Sequence, residues 1–184
     1  MLLVPAAIGA ARYQSGELKS SLQIMGLVLG ALTIVAIYVV RAFRNNEVSD
    51  IDVSRREQRP RMFAIAISST LVTLLSLWFL GQPASVLLGA GVALALLALG
   101  AAMNHLGLKV SLHTAFAVYA AAIFLSAGPL LGLLGALAAL AVGWSRTALG
   151  RHTPREVAAG FALGTLVCLP MIALTLRPLA LAEP

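Results

Sequence analysis

The sequence predicts an all-α fold, an integral membrane bundle of six transmembrane helices. Three observations carry that prediction. Apolar residues make up 60% of the 184-residue chain and charged residues only 11%, with a mean hydropathy of +0.94; soluble domains carry about 25% charge. The apolar residues collect in stretches of about 20, the length a helix needs to cross a bilayer. Fifteen of the twenty charged residues fall in three short breaks between those stretches.

The elements follow in order. Residues 1–20 hold a short apolar run with no basic leader, which argues against a signal peptide and for an interfacial segment. The first span is expected over residues 22–40. The second (62–80) and third (84–103) are parted by Gly81-Gln82-Pro83, a turn signal. Residues 112–144 form one apolar block, broken at Ser126-Ala127-Gly128-Pro129 into a short fourth and fifth span. The sixth is expected over 157–175. The domain organisation is therefore an interfacial segment (1–20), a six-helix membrane domain (21–178) and a C-terminal tail (179–184). The single cysteine, Cys168, lies in an apolar run and excludes a disulfide framework within the chain.

The three polar breaks span residues 41–61, 104–113 and 145–156. Two crossings separate each break from the next, so all three emerge on one membrane face. That face carries Arg41, Arg44, Arg55, Arg56, Arg59, Arg61, Lys109, Arg146, Arg151 and Arg155, against Arg12, Lys19 and Arg177 on the other. The positive-inside rule puts the polar face in the cytoplasm, and setting aside Arg59 and Arg146 as substrate ligands does not reverse the bias. The net charge of +6 lies mostly beside apolar spans. Partners are therefore expected to be membrane lipids and a phosphate-bearing substrate rather than nucleic acid.

The third break, Ser145-Arg146 to Glu156, holds the richest chemistry. A neutral imidazole such as His152 is a nucleophile that a carboxylate on its other nitrogen can orient. Arg146 offers a planar fork of donors suited to phosphate oxygens. Glu156 has two readings, which are compatible: it closes a capping box with Thr153, with Pro154 at the first helical position, and it can orient His152. The second break contributes Ser111, His113 and Lys109, with Asn104 and His105 as ordinary interfacial residues. The first contributes Arg59-Pro60 at the start of a span, with Arg55 and Arg56 on the same helical face as Arg59. Two histidines and several arginines on one face suit phosphoryl transfer, where positioning and charge neutralisation dominate.

The order Arg59-Pro60, Ser111-x-His113 and Ser145-Arg146-x5-His152-x3-Glu156 resembles the type-2 phosphatidic acid phosphatase superfamily. Its motifs are Lys-x6-Arg-Pro, Pro-Ser-Gly-His and Ser-Arg-x5-His-x3-Asp. The resemblance covers residues 52–156, and its third motif is the specific one. Asp52 stands where the family has lysine, Val110 and Leu112 replace the proline and glycine of the second motif, and Glu156 replaces aspartate. The resemblance implies His152 as the nucleophile, Glu156 as its orienting partner, and His113 as the acid that protonates the leaving alkoxide and then activates water. Arg59 and Arg146 would hold the phosphate, assisted by the Ser145 hydroxyl and the backbone near Ser111. Arg55, Arg56 or Lys109 would make good the missing lysine. No metal and no cofactor are implied. The expected activity is that of a metal-independent lipid phosphate phosphatase in a bacterial cell membrane, acting on phosphatidic acid, phosphatidylglycerol phosphate or a polyprenyl phosphate. A phosphotransferase using the same histidine, and a non-catalytic scaffold or transporter of the same fold, are the alternatives.

Overall fold

The computed structural model describes residues 18–180, with side chains from 20 to 176. Six α-helices follow one another: α1 (Leu18–Arg44), α2 (Arg59–Phe79), α3 (Ala84–His105), α4 (Leu112–Ser126), α5 (Pro129–Ala148) and α6 (Pro154–Ala180). A short 3-10 turn at Arg56–Gln58 leads into α2, and no strand occurs among the described residues. Five of the helices are long and apolar enough to cross a membrane, and α4 is a shorter apolar helix. Every expected apolar segment is thus helical. Of the interfacial segment expected at residues 1–20, residues 18–20 already belong to α1, and residues 1–17 lie outside the described residues; of the expected tail, so do 181–184.

Helix α4 is the hub. It packs against α5 and α6 and touches α3, while α1, α2 and α3 follow as a row. Its composition permits this: Ala115, Ala117, Ala120 and Ala122 are all buried, so neighbouring backbones come close. The partner helices answer with glycines. A Cβ at Gly160 would lie 2.5 Å from the Ser111 carbonyl, and one at Gly164 would lie 2.8 Å from that of Ala115. These two positions on one face of α6 fasten it to α4 without room for a methyl group.

The two ends of the bundle are built differently. At one end the helices turn tightly at Gly81–Pro83 and at Ala127–Gly128. Neutral hydrogen bonds tie that end, from Ser20 to Gln82 (2.6 Å) and from Gln82 to Gln23 (3.2 Å). At the other end the three polar breaks converge. Leu130, Leu133, Leu134, Leu137, Leu140 and Trp144 are exposed along α5, which leaves that helix an apolar outer face suited to lipid. Inside, a cavity of about 800 Å³ is lined by α1, α2, α3, α4 and α6. It runs alongside α1 from Ile24 to Val40, about 24 Å of helix. Its walls are mostly apolar with scattered Ser and Thr side chains, and Asp52 and His113 line it near the polar end.

Candidate active site

The third break is fixed by local chemistry. Helix α5 ends on Gly150, at φ 63°, which lets the chain reverse. The Gly150 amide donates to the Thr147 carbonyl and the Arg151 amide to that of Arg146, the two bonds of a Schellman ending. His152 also donates its amide to the Arg146 carbonyl. Thr153 then starts α6. The Glu156 amide donates to Thr153 Oγ1, and the Thr153 amide donates back to Glu156 Oε2, both at 3.3 Å. Five residues thus pass from one capped helix to the next, and His152 is held buried between them.

Glu156 serves both of its expected roles through one oxygen. Oε2 completes the capping box and lies 2.8 Å from His152 Nδ1. Lys109 Nζ sits 3.4 Å from the same oxygen and donates to the Arg151 carbonyl at 3.4 Å. The carboxylate favours a proton on Nδ1, which leaves the Nε2 lone pair free. Burial holds the His152 pKa below the ordinary imidazole value; the Glu156 hydrogen bond opposes this only in part, and the charge of Arg59 adds to the lowering. Burial and the Arg59 charge both favour the neutral ring.

The first break forms the other side. The chain between α1 and the 3-10 turn folds on a small core of Val39, Ala42, Val48 and Val53. Val53 is fully buried at φ 47°, a left-handed backbone that costs a β-branched residue about 1–3 kcal/mol. Polar bonds brace this bend. Asp50 accepts from the Ser54 hydroxyl (2.9 Å) and amide (3.3 Å), and Ser49 donates to Gln58. Burial pushes the Asp50 pKa up, but the Ser54 and Ser49 bonds together outweigh it and hold the carboxyl below its usual value. Arg59 is buried and donates to the carbonyls of Val53 (2.9 Å) and Ser54 (3.4 Å).

The bend delivers Asp52 to the third break. Its Oδ2 accepts from Arg146 Nη2 at 2.9 Å and lies 3.6 Å from Arg151 Nε; its Oδ1 lies 3.9 Å from His113 Nε2. Arg151 also reaches Asp50 at 3.6 Å. Arg146 is buried, and its Nε has no hydrogen-bond partner among the described residues. His113 is half-exposed and lines the polar end of the apolar cavity.

The remaining candidates are placed as follows. Ser111 is fully buried as the N-cap of α4: its hydroxyl accepts from the Thr114 hydroxyl at 2.9 Å, and its amide donates to the Glu156 carbonyl at 3.1 Å. The hydroxyl caps α4 and the amide ties α4 to α6. Ser145 donates its hydroxyl to the Val142 carbonyl one turn back, at 2.7 Å. Arg55 is exposed, and Arg56 pairs loosely with Glu57 at 3.7 Å. Both line an open, shallow pocket with Lys109 and Arg151. His152, Glu156, Arg146, Arg59, His113 and Lys109 therefore meet in one region. Asp52 and Arg151 belong to it as well, although the sequence motifs assign neither of them a role there. Adjacency of Arg151 to His152 in sequence was the available signal; for Asp52 it was its place at the lysine position of the first motif, while its partner Arg146 lies 94 positions away.

No protein-family model matches the chain, and no match was found among curated proteins or solved structures. Its chemistry rests on the arrangement just described. A neutral imidazole backed by a carboxylate stands near arginines able to bind an anion, beside a second imidazole at the end of an apolar chamber. Such a set can attack phosphorus, neutralise phosphoryl charge and donate a proton to a leaving oxygen.

Proposed function

We propose that the protein is a membrane-embedded lipid phosphate phosphatase with six transmembrane helices, working through a phosphohistidine. The observation that carries the proposal is the His152–Glu156 pair and Arg146 grouped, through Asp52, with His113 at the polar end of the apolar cavity. The motif order shared with type-2 phosphatidic acid phosphatases supports the same reading.

In the first step His152 Nε2 forms a bond to phosphorus as the bond to the lipid oxygen breaks. Protonated His113 supplies the proton that turns the departing alkoxide into an alcohol. In the second step neutral His113 takes a proton from water, the hydroxide oxygen bonds to phosphorus, and the P–N bond breaks. Inorganic phosphate leaves and both imidazoles return to their starting states. Arg146, with Arg59 and Arg151 nearby, offsets the charge on the phosphoryl oxygens. The cavity takes the lipid tail while the phosphate stays at the polar end.

The substrate class is a lipid phosphomonoester or diphosphate, such as phosphatidic acid, phosphatidylglycerol phosphate or a polyprenyl phosphate. The basic bias of the polar face supports a cytoplasmic site. With Cys168 replaced, labelling of Asn46→Cys in intact cells by an impermeant thiol reagent would reverse that orientation. The test of activity uses purified protein and radiolabelled lipid phosphate from each class, quenched in alkali, where phosphohistidine survives. Label should appear on the protein within one turnover, followed by release of inorganic phosphate. No label and no release with any class would overturn the proposal; label passed to an added alcohol in preference to water would make the protein a phosphotransferase.

A further inference from the structure

Asp52 occupies the position in which Arg146 and Arg151 would meet an anion. One carboxylate with two oxygens reaches Arg146 at 2.9 Å, Arg151 at 3.6 Å and His113 at 3.9 Å. It is delivered there by a bend with Val53 in a left-handed conformation, propped by Arg59 and by the Asp50–Ser54 bonds. Arg146 Nε stays buried and, among the described residues, unpartnered even so. The carboxylate thus fills part of the cradle and leaves one strong donor unmet.

We propose that Asp52 is the specificity-determining residue of this site, a tethered carboxylate that keeps phosphodiester head groups out of the Arg146 cradle and yields to a terminal phosphate. The inference rests on the reading of Arg146 as a phosphate ligand. A phosphodiester carries one negative charge and two unesterified oxygens, the same as Asp52. Exchanging one for the other gains no charge and no acceptor, and it costs the immobilisation of a free ligand in place of a tethered one. A terminal phosphate brings a third oxygen and, near neutral pH, a charge of about −1.5 to −2. The extra oxygen can accept from Arg146 Nε, and the extra charge strengthens every contact to the cradle. The distinction has a use. A site at a membrane surface faces diester lipids at very high local concentration, and two bare arginines beside a histidine would be occupied by them. Selectivity built by placing a competitor in the site is discrimination against the wrong ligand rather than added affinity for the right one.

The test reads binding, so it does not depend on turnover. Full-length protein in non-ionic detergent is titrated at pH 8 with inorganic phosphate and with dimethyl phosphate, followed by phosphorus NMR line broadening. Wild type should prefer inorganic phosphate by about tenfold or more, a difference of about 1.4 kcal/mol. Asp52→Asn should bind dimethyl phosphate and cut the preference to about threefold or less. Asp52→Ser should do the same, which covers the case of a poorly folded Asn variant. Asp52→Glu, with its carboxylate retained, should keep the wild-type preference. Arg146→Gln should lose both anions, placing the binding at this cradle. Equal preference in wild type and Asp52→Asn overturns the inference, as does binding that survives Arg146→Gln. Lipid phosphate hydrolysis by wild type alongside such a result would leave the phosphatase reading intact. The expected preferences in a protein that hydrolyses nothing would remove that reading and leave the role of Asp52 standing.

Discussion

The two halves of the site differ in how they are held. The α5–α6 connection takes five residues, every turn of which is closed by a cap encoded within a few positions. The α1–α2 connection is longer, carries positive φ at Asn46 and Val53, and leaves Ser49, Glu57 and Arg55 exposed. One half is set by local hydrogen bonds and a glycine-tight contact between α4 and α6. The other is a braced and strained loop whose working residue, Asp52, is anchored chiefly through Arg146 across the site. Rigidity belongs with His152, which as the proposed nucleophile must keep its geometry. Strain belongs with the group that has to give way when an anion enters.

Substitutions can break this contrast at either side. The largest effect is expected from His152→Ala. Loss of the proposed nucleophile should reduce hydrolysis by more than about 1,000-fold while helix content and detergent elution stay unchanged. Turnover near the wild-type rate in a phosphate-release assay would remove His152 from the chemistry. Next comes Glu156→Gln, expected to lower kcat by about 100-fold. The amide still accepts the Thr153 amide bond, so the cap survives, but the charge facing His152 and Lys109 is gone. Glu156→Asp should retain far more activity. Equal rates for the Gln variant and wild type would reduce Glu156 to a helix cap.

The pH profile sharpens the same side. Under the proposed reaction His152 attacks as neutral imidazole, and burial favours the neutral form. On the acid side, activity therefore falls as pH drops through the folded pKa of His152. The acid midpoint of kcat/KM should lie below 6.5, the ordinary imidazole value. A midpoint at or above that value would contradict the burial of His152. The smallest effect concerns the strained loop. Glycine in place of a buried valine is ordinarily worse than alanine. At Val53 the positive φ penalises alanine and spares glycine by about 1 kcal/mol. Val53→Gly should then melt no lower than Val53→Ala, whereas at Val48, which is not among the positive-φ positions, glycine should be the worse of the two. The usual order at both positions would mean that the bend at Val53 stores no strain.

Much of this molecule was legible in the sequence, for physical reasons that differ by region. Hydropathy and Gly-Pro punctuation located the helices because bilayer-length apolar runs have few other uses. Thr153-Pro154-Arg155-Glu156 located the start of α6 because a capping box is a four-residue code. The convergence of the three breaks followed from parity, two crossings apart each time. What stayed hidden depends on distance or on strain. Asp52 reaches Arg146 across 94 positions, and nothing local marks the pair. A valine at φ 47° violates local preference and so could not be foreseen from it. Ser111 carries a plausible site hydroxyl, yet that hydroxyl caps α4 through Thr114 while the Ser111 backbone packs on α6 at Gly160.

The apolar cavity has a consequence for traffic. Under the proposed reaction the substrate has one end among the polar breaks and its tail along about 24 Å of α1. Cutting it yields two products with opposite solubilities. The phosphate departs to water past Asp52, which can return to Arg146 behind it. The alcohol remains in the chamber and leaves sideways into lipid. Because the products part into different phases, they do not meet again at the site, and the reverse reaction is suppressed by geography rather than by chemistry.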